Sequence, residues 1–257
     1  MKTKRFTHVI PLLVLAVAIV ITGCAANHQK KEKAANYFNM GNAYLKSGQF
    51  PQALREFFAA QRLSPNDARI QYYTGLAYYG NGMRKEAKTE FKKALSVKPD
   101  YSEAHNYLGT IYLEEGLYDS AIEEFKLALS NMLYETPAMA LNNMGWAYYK
   151  KGEYSTALTQ YKSALQREPN TVLSPLIQKN MGIAYLAGDS IPEAIHCLKK
   201  SIDMAPGMIE SRYWLGMSYL ESGERGKAID EFRSVIAANP GSIFGIKAKE
   251  RLDDILP

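Results

Sequence analysis

The 257 residues predict an all-α chain, a solenoid of six helix–turn–helix repeats with a C-terminal capping helix. Three observations carry that prediction. Glycines recur at Gly41, Gly75, Gly109, Gly145, Gly182 and Gly216, at intervals of 34, 34, 36, 37 and 34 residues. Small and aromatic positions travel with them, such as Ala53 and Tyr44 in the first copy and Ala228 and Tyr219 in the sixth. Apolar residues at three- and four-residue spacing mark each half-repeat as an amphipathic helix. Such units bury their apolar faces on one another, so the body needs no central core.

In the first repeat (34–67), Ala34 to Lys46 is the first helix, Gly48 breaks the chain, and Pro51 to Leu63 is the second. Pro51 stands near a helix start, where a missing N–H is harmless. Pro65 stops the second helix because it cannot continue the hydrogen-bond ladder. Gly41 and Ala53 are small where the two helices cross, and Phe57 fills the space beside the crossing. The second repeat (68–101) repeats the pattern with Gly75, Ala87, Phe91 and Pro99. The third (102–137) ends in a longer joint, Asn131 to Pro137, and the fourth (138–174) in another, Asn170 to Ser174. The fifth (175–208) is the weakest copy, with Leu198 and Ser201 where an aromatic and Ala usually stand. The sixth (209–242) is followed by residues 243–257, which mix Ile, Phe and Leu with charge. A capping helix needs that combination of one apolar and one polar face.

Residues 1–23 read as an export signal: basic Lys2, Lys4 and Arg5, then an apolar run from Val9 to Ile21. That run of about 13 residues is shorter than the roughly 20 needed to span a bilayer core. Ile21-Thr22-Gly23-Cys24 resembles the bacterial lipobox, which implies cleavage before Cys24 and lipid attachment to it. Several acyl chains would hold a soluble body at a membrane. By the same resemblance, Ala25 after the cysteine implies sorting to the outer membrane, facing the periplasm. Residues 24–33 then form the lipidated Cys and a polar, flexible tether. Cys197 is the one other cysteine and sits in an apolar helical pattern, so packing is its expected role.

Charged residues are 22% of the chain and hydrophobic ones 47%, ordinary values for a folded protein. The formal charge of +5 falls to +2 when Lys2, Lys4 and Arg5 leave with the signal, and it points to no nucleic acid. No catalytic constellation, cofactor motif or metal site is expected. His8, His28, His105 and His196 are scattered, and no second ligand stands at metal spacing. Glu114-Glu115 and Glu123-Glu124 are adjacent on helices, face different ways, and read as solvated charge. The chain reads as a non-enzyme.

The 34-residue helix–turn–helix period with this residue pattern resembles the tetratricopeptide repeat (TPR) over residues 34–242. The resemblance implies a right-handed superhelical solenoid whose first helices line a peptide-binding groove. Groove positions would be the second, fifth, ninth and twelfth to thirteenth of each repeat. The strongest candidates are then Phe38 and Asn42; Tyr72, Leu76 and Tyr79; Asn106; and Asn142, Trp146 and Tyr149. Phe38 and Tyr72 disfavour a clamp for a terminal carboxylate, which would want basic or polar groups there. Aromatic anchors with Asn rungs suit an extended or helical peptide. The alternative is that the Tyr and Trp side chains pack between helices.

The stretch from Phe125 to Gly145 is more distinctive. Asn131, Leu133, Tyr134, Thr136, Pro137, Ala140, Asn143 and Gly145 resemble the joint of the type IV pilus biogenesis and stability lipoproteins, the PilF/PilW family. Met132 and Glu135 stand where that family has prolines, and Trp146-Ala147 where a Leu-Cys pair is expected. The resemblance implies a pilotin, a lipid-anchored adaptor that binds secretin subunits and helps them reach the outer membrane and assemble. The rival reading is a general periplasmic scaffold that recruits proteases or cell-wall enzymes.

Overall fold

The computed structural model describes the backbone of residues 9–256 and the side chains of residues 28–256. The signal residues 1–8 and the side chain of Cys24 lie outside the described residues. Among those described, the chain forms thirteen helices and no strand. In order they are α1 (Val9–Lys46), α2 (Phe50–Leu63), α3 (Ala68–Gly80), α4 (Arg84–Val97), α5 (Ser102–Glu114), α6 (Tyr118–Ser130) and α7 (Pro137–Lys150). Then follow α8 (Tyr154–Arg167), α9 (Ser174–Ala187), α10 (Ile191–Met204), α11 (Ile209–Glu221), α12 (Arg225–Ala238) and α13 (Ile243–Ile255).

The expected tether is a point of difference, because α1 runs through residues 25–33 without a break. That stretch is Ala, Asn, His, Gln, Lys and Glu, with no Gly or Pro to stop a helix propagating back from the repeat. Among the described residues no helix is long and apolar enough to cross a membrane.

Every repeat is locked by the same contact. A Cβ added to any of the six repeat glycines would lie 2.5–2.7 Å from a side-chain atom sixteen residues on, in Phe57, Phe91, Phe125, Tyr161, Leu198 or Phe232. All six of those side chains are fully buried. The glycine lets the ring (or Leu198) lie directly on the first helix's backbone, and the packing leaves no room for a methyl group. In the fifth repeat Ser201 replaces the usual small apolar residue. Its hydroxyl donates to the Pro175 carbonyl (2.8 Å) and shares a hydrogen bond with Ser211 Oγ (2.8 Å), so this buried polar group is satisfied.

The turn between the two helices of a repeat places one residue at positive φ seven positions after the repeat glycine. Gly48, Gly82, Gly116, Gly152 and Gly223 hold it at 71–79°, and Asp189 holds it at 59° in the fifth repeat. At the end of the chain, α13 buries Gly245, Ala248 and Leu252 against the last repeat, and Ser242 caps its start by accepting from the Gly245 N–H (3.0 Å). Its outer face is less polar than expected, since Ile243 and Ile246 are exposed.

The helices gather into two compact units that divide after Ala104. The first holds α1 to α4 and the start of α5. The second holds the remainder, with one core from Ala121 to Cys197 and another from Leu198 to Leu252.

Candidate functional site

The predicted groove positions sort by depth. The fifth position of each repeat, three residues before the glycine, is Phe38, Tyr72, Asn106, Asn142, Lys179 or Tyr213, and all six are buried. The ninth and twelfth positions are half-buried at Leu76, Tyr79, Trp146 and Tyr149, as is Asn42 at the ninth position of the first repeat. A helix shows its partner one stripe and solvent the next, and a modest rotation about the helix axis separates the two rows.

In the first unit, Phe38 meets Tyr73 edge-on with centroids 5.0 Å apart and carries the Arg69 guanidinium 4.6 Å above its ring. Tyr72 touches Tyr73 (5.3 Å), Phe91 (5.8 Å) and Tyr101 (4.9 Å). Both are buried and pack against these rings. Tyr79 remains reachable: Arg84 lies 3.9 Å over its ring and also donates to its backbone carbonyl. With Asn42 and Leu76 it forms the accessible strip of this unit.

In the second unit the fifth row is polar from the third repeat to the fifth and satisfied from within, and it is aromatic again at Tyr213. Asn180 Nδ2 donates to Asn142 Oδ1 (2.9 Å), and Asn142 Nδ2 donates to Asn143 Oδ1 (3.4 Å). Asn143 Nδ2 reaches Asn106 Oδ1 (3.5 Å) and Thr110 Oγ1 (3.3 Å). Asn106 and Asn142 are thus links of a ladder that ties α5, α7 and α9 together. Asn143 and Asn180, which complete it, were not among the expected site residues. Their signal was present, because each stands two residues before a repeat glycine. Lys179 continues the row through an ion pair with Glu210 (2.7 Å).

Beside the ladder, Trp146 and Tyr149 stack at 4.7 Å and 19°, Tyr154 abuts Tyr149 at 5.6 Å, and the Lys150 ammonium lies 5.0 Å from the Trp146 ring. Burial first, then Tyr154, pushes the Tyr149 hydroxyl above its ordinary range, so it stays a neutral donor. An aromatic shelf with a cation on it can hold apolar and carbonyl-rich segments.

The distinctive joint is built by its own residues. Asn131 Oδ1 accepts from the Leu133 N–H (2.9 Å), Tyr134 is buried in the core, and Met132 and Leu133 are 99% and 87% exposed. The Glu168 carboxylate of the next joint accepts from the Ala138 N–H (2.8 Å) and so holds the start of α7. Glu124 is a correction to the solvated reading: it is half-buried and lies 2.6 Å from His105 Nδ1, whereas Glu123 is exposed. Cys197 is buried, and burial raises its thiol above the usual range. Among the described residues no group of three or more His, Cys, Asp or Glu could hold a metal ion.

Comparison with known proteins agrees with the repeat geometry. Family models described as tetratricopeptide repeat match residues 68–101, 100–170 and 179–243, and one described as TPR repeat matches residues 41–82. No curated protein sequence matches the chain. Among solved structures, Pseudomonas aeruginosa PilF is similar with a TM-score of 0.75 at 17% identity, over 87% of this chain and 99% of that one. PilW, a type IV pilus biogenesis factor, is similar with a TM-score of 0.77 at 19% identity, over 84% and 98%. YrrB, a TPR protein with an unusual peptide-binding site, has a TM-score of 0.58 at 20% identity, over 76% and 97%. The chain belongs to the tetratricopeptide-repeat proteins, and its fold is that of PilF and PilW.

Proposed function

We propose that this chain is a pilotin of a type IV pilus system: a non-catalytic adaptor that binds secretin subunits and promotes their assembly at the outer membrane. The observation that carries the reading is the match to PilF and PilW over nearly their whole length, joined to the resemblance of the Asn131–Pro137 joint to the same family. In this reading a lipid on Cys24 anchors the protein to the periplasmic face of the outer membrane. Anchoring raises the local concentration of captured subunits without requiring a new contact. The contacts come from the accessible rows, Asn42, Leu76 and Tyr79 in the first unit and Trp146 and Tyr149 in the second. Phe38, Tyr72, Asn106 and Asn142 support those rows from beneath.

The test is the amount of detergent-resistant secretin multimer in membranes of cells lacking this protein, compared with cells carrying wild type or Cys24→Ser. Loss of multimer with monomer retained is the expected result, with Cys24→Ser failing to restore it. Multimer at the wild-type level in the deletion would overturn the reading and leave a general periplasmic scaffold. Leu76→Ala combined with Trp146→Ala reports on the contact rows, with secretin capture lost while helix content is kept.

A further inference from the structure

The first unit holds a cleft of about 790 Å³ that no groove residue lines. Its walls are one turn of α1, the α2–α3 loop and the α4–α5 joint, so it lies at the edge where repeats connect. Three cations reach it, Lys31, Arg69 and Lys98, against a single carboxylate, Asp67. Asp67 is already engaged: Oδ1 accepts from the Arg69 N–H (3.0 Å) and Oδ2 lies 3.4 Å from the Arg69 guanidinium. Arg69 is fixed from the other side by the Phe38 ring, and the Lys98 ammonium lies 4.8 Å from the Tyr101 ring. Leu63 and Tyr101, both half-buried, add an apolar wall to the charged one. The surrounding sequence has the same sign. Residues 28–104 carry 13 Lys and Arg against 7 Asp and Glu, whereas residues 105–256 carry 15 against 19.

We propose that this cleft binds an acidic peptide segment of a protein partner, placing carboxylates on Lys31, Arg69 and Lys98 and apolar side chains on Leu63 and Tyr101. Charge complementarity selects the occupant, and it sets association rate and specificity more than raw affinity. A volume inside the roughly 300–1,000 Å³ range of sites that enclose their ligands suits a short segment entering a concavity better than the surface of a bilayer. The cleft and the contact rows use different residues, so the inference does not depend on what the groove holds.

The experiment is fluorescence anisotropy of the full chain with a labelled ten-residue peptide of alternating Glu and Leu, and with its Gln-for-Glu counterpart. The acidic peptide binds, more weakly as salt rises, and the Gln peptide does not. Lys31→Gln with Lys98→Gln, both exposed, weakens binding roughly five- to ten-fold, as expected for two solvent-screened charge contacts. Lys126→Gln with Lys249→Gln, a charge-matched pair in the second unit, leaves affinity unchanged. Equal binding of the Gln peptide, or an unaltered affinity in the Lys31/Lys98 variant, overturns the proposal. Flotation with phosphatidylglycerol vesicles is the second arm. Vesicle binding that needs Lys31 and Lys98, with no binding of the acidic peptide, overturns it in favour of a membrane contact.

Discussion

The two units use one repeat in two ways. In the first, the buried row three residues before each glycine is aromatic, and Phe38 and Tyr72 join Tyr73, Phe91 and Tyr101 in a ring-on-ring cluster. In the second, the same row holds Asn106, Asn142 and Lys179, joined to their neighbours by hydrogen bonds and an ion pair. It returns to a ring only in the last repeat, where Tyr213 packs on Phe232 and Phe244. Ring packing tolerates small shifts between neighbouring helices, whereas a hydrogen-bond ladder fixes their register within tenths of an ångström. The first unit also keeps the repeat pattern strictly, and the second departs from it at identifiable positions. A buried row can be changed from apolar to polar without altering the fold, provided that every polar group finds a partner.

The comparison breaks most visibly where a buried ring is removed. Tyr72→Ala deletes a side chain that touches three other rings, and truncating a buried aromatic to alanine costs about 3–5 kcal/mol. Asn142→Ala leaves the Asn180 amide donor buried without its acceptor, a loss of about 1–3 kcal/mol. Urea unfolding of the two variants should therefore rank Tyr72→Ala as the more damaging. The reverse order would mean that the ladder, and not the aromatic cluster, dominates the stability of this row.

Much of this organisation is legible in the residues. The glycine period and the sixteen-residue step to Phe57 or Phe91 are local facts, and each names both partners of a helix crossing. The breaks within and after the first repeat are legible too, because Gly48 and Pro65 interrupt hydrogen bonding wherever they stand. The depth of the groove rows is not. Phe38 and Asn106 occupy one position, one apolar and one polar, and nothing in either residue alone says that both are buried. The Asn143–Asn106 contact joins residues 37 apart and requires the relative register of two helices. The course of α1 through residues 25–33 escapes the sequence for a related reason: a polar run without breakers is compatible with a tether or with an extra helical stretch.

A smaller effect sharpens the contrast. Tyr161 is the one tyrosine in a place where Phe57, Phe91, Phe125 and Phe232 stand, and it is fully buried. Its hydroxyl has no hydrogen-bond partner among the described residues, and burial pushes its ionisation well above the usual range. Tyr161→Phe removes the orphaned group and keeps the ring on Gly145. Stability should rise by about 1 kcal/mol, measured as a higher urea midpoint at unchanged slope. A fall of the same size would show that the hydroxyl is satisfied after all, by ordered water.

The smallest departure is the turn of the fifth repeat. Asp189 sits at a φ of 59°, where every other repeat has glycine at the equivalent turn. An L-residue in the left-handed region is strained by about 1–2 kcal/mol, less for Asp because its short side chain tolerates that region. Glycine relieves the strain but loses more chain entropy on folding, which offsets part of the gain. Asp189→Gly should accordingly stabilise the second unit by about 0.5 kcal/mol, a rise of roughly a degree or two in Tm for a unit of this size. The sign matters more than the size. A loss of stability would mean that the Asp189 side chain makes a contribution the turn geometry does not explain, and the fifth repeat would then depart from the others for a reason beyond relaxed packing.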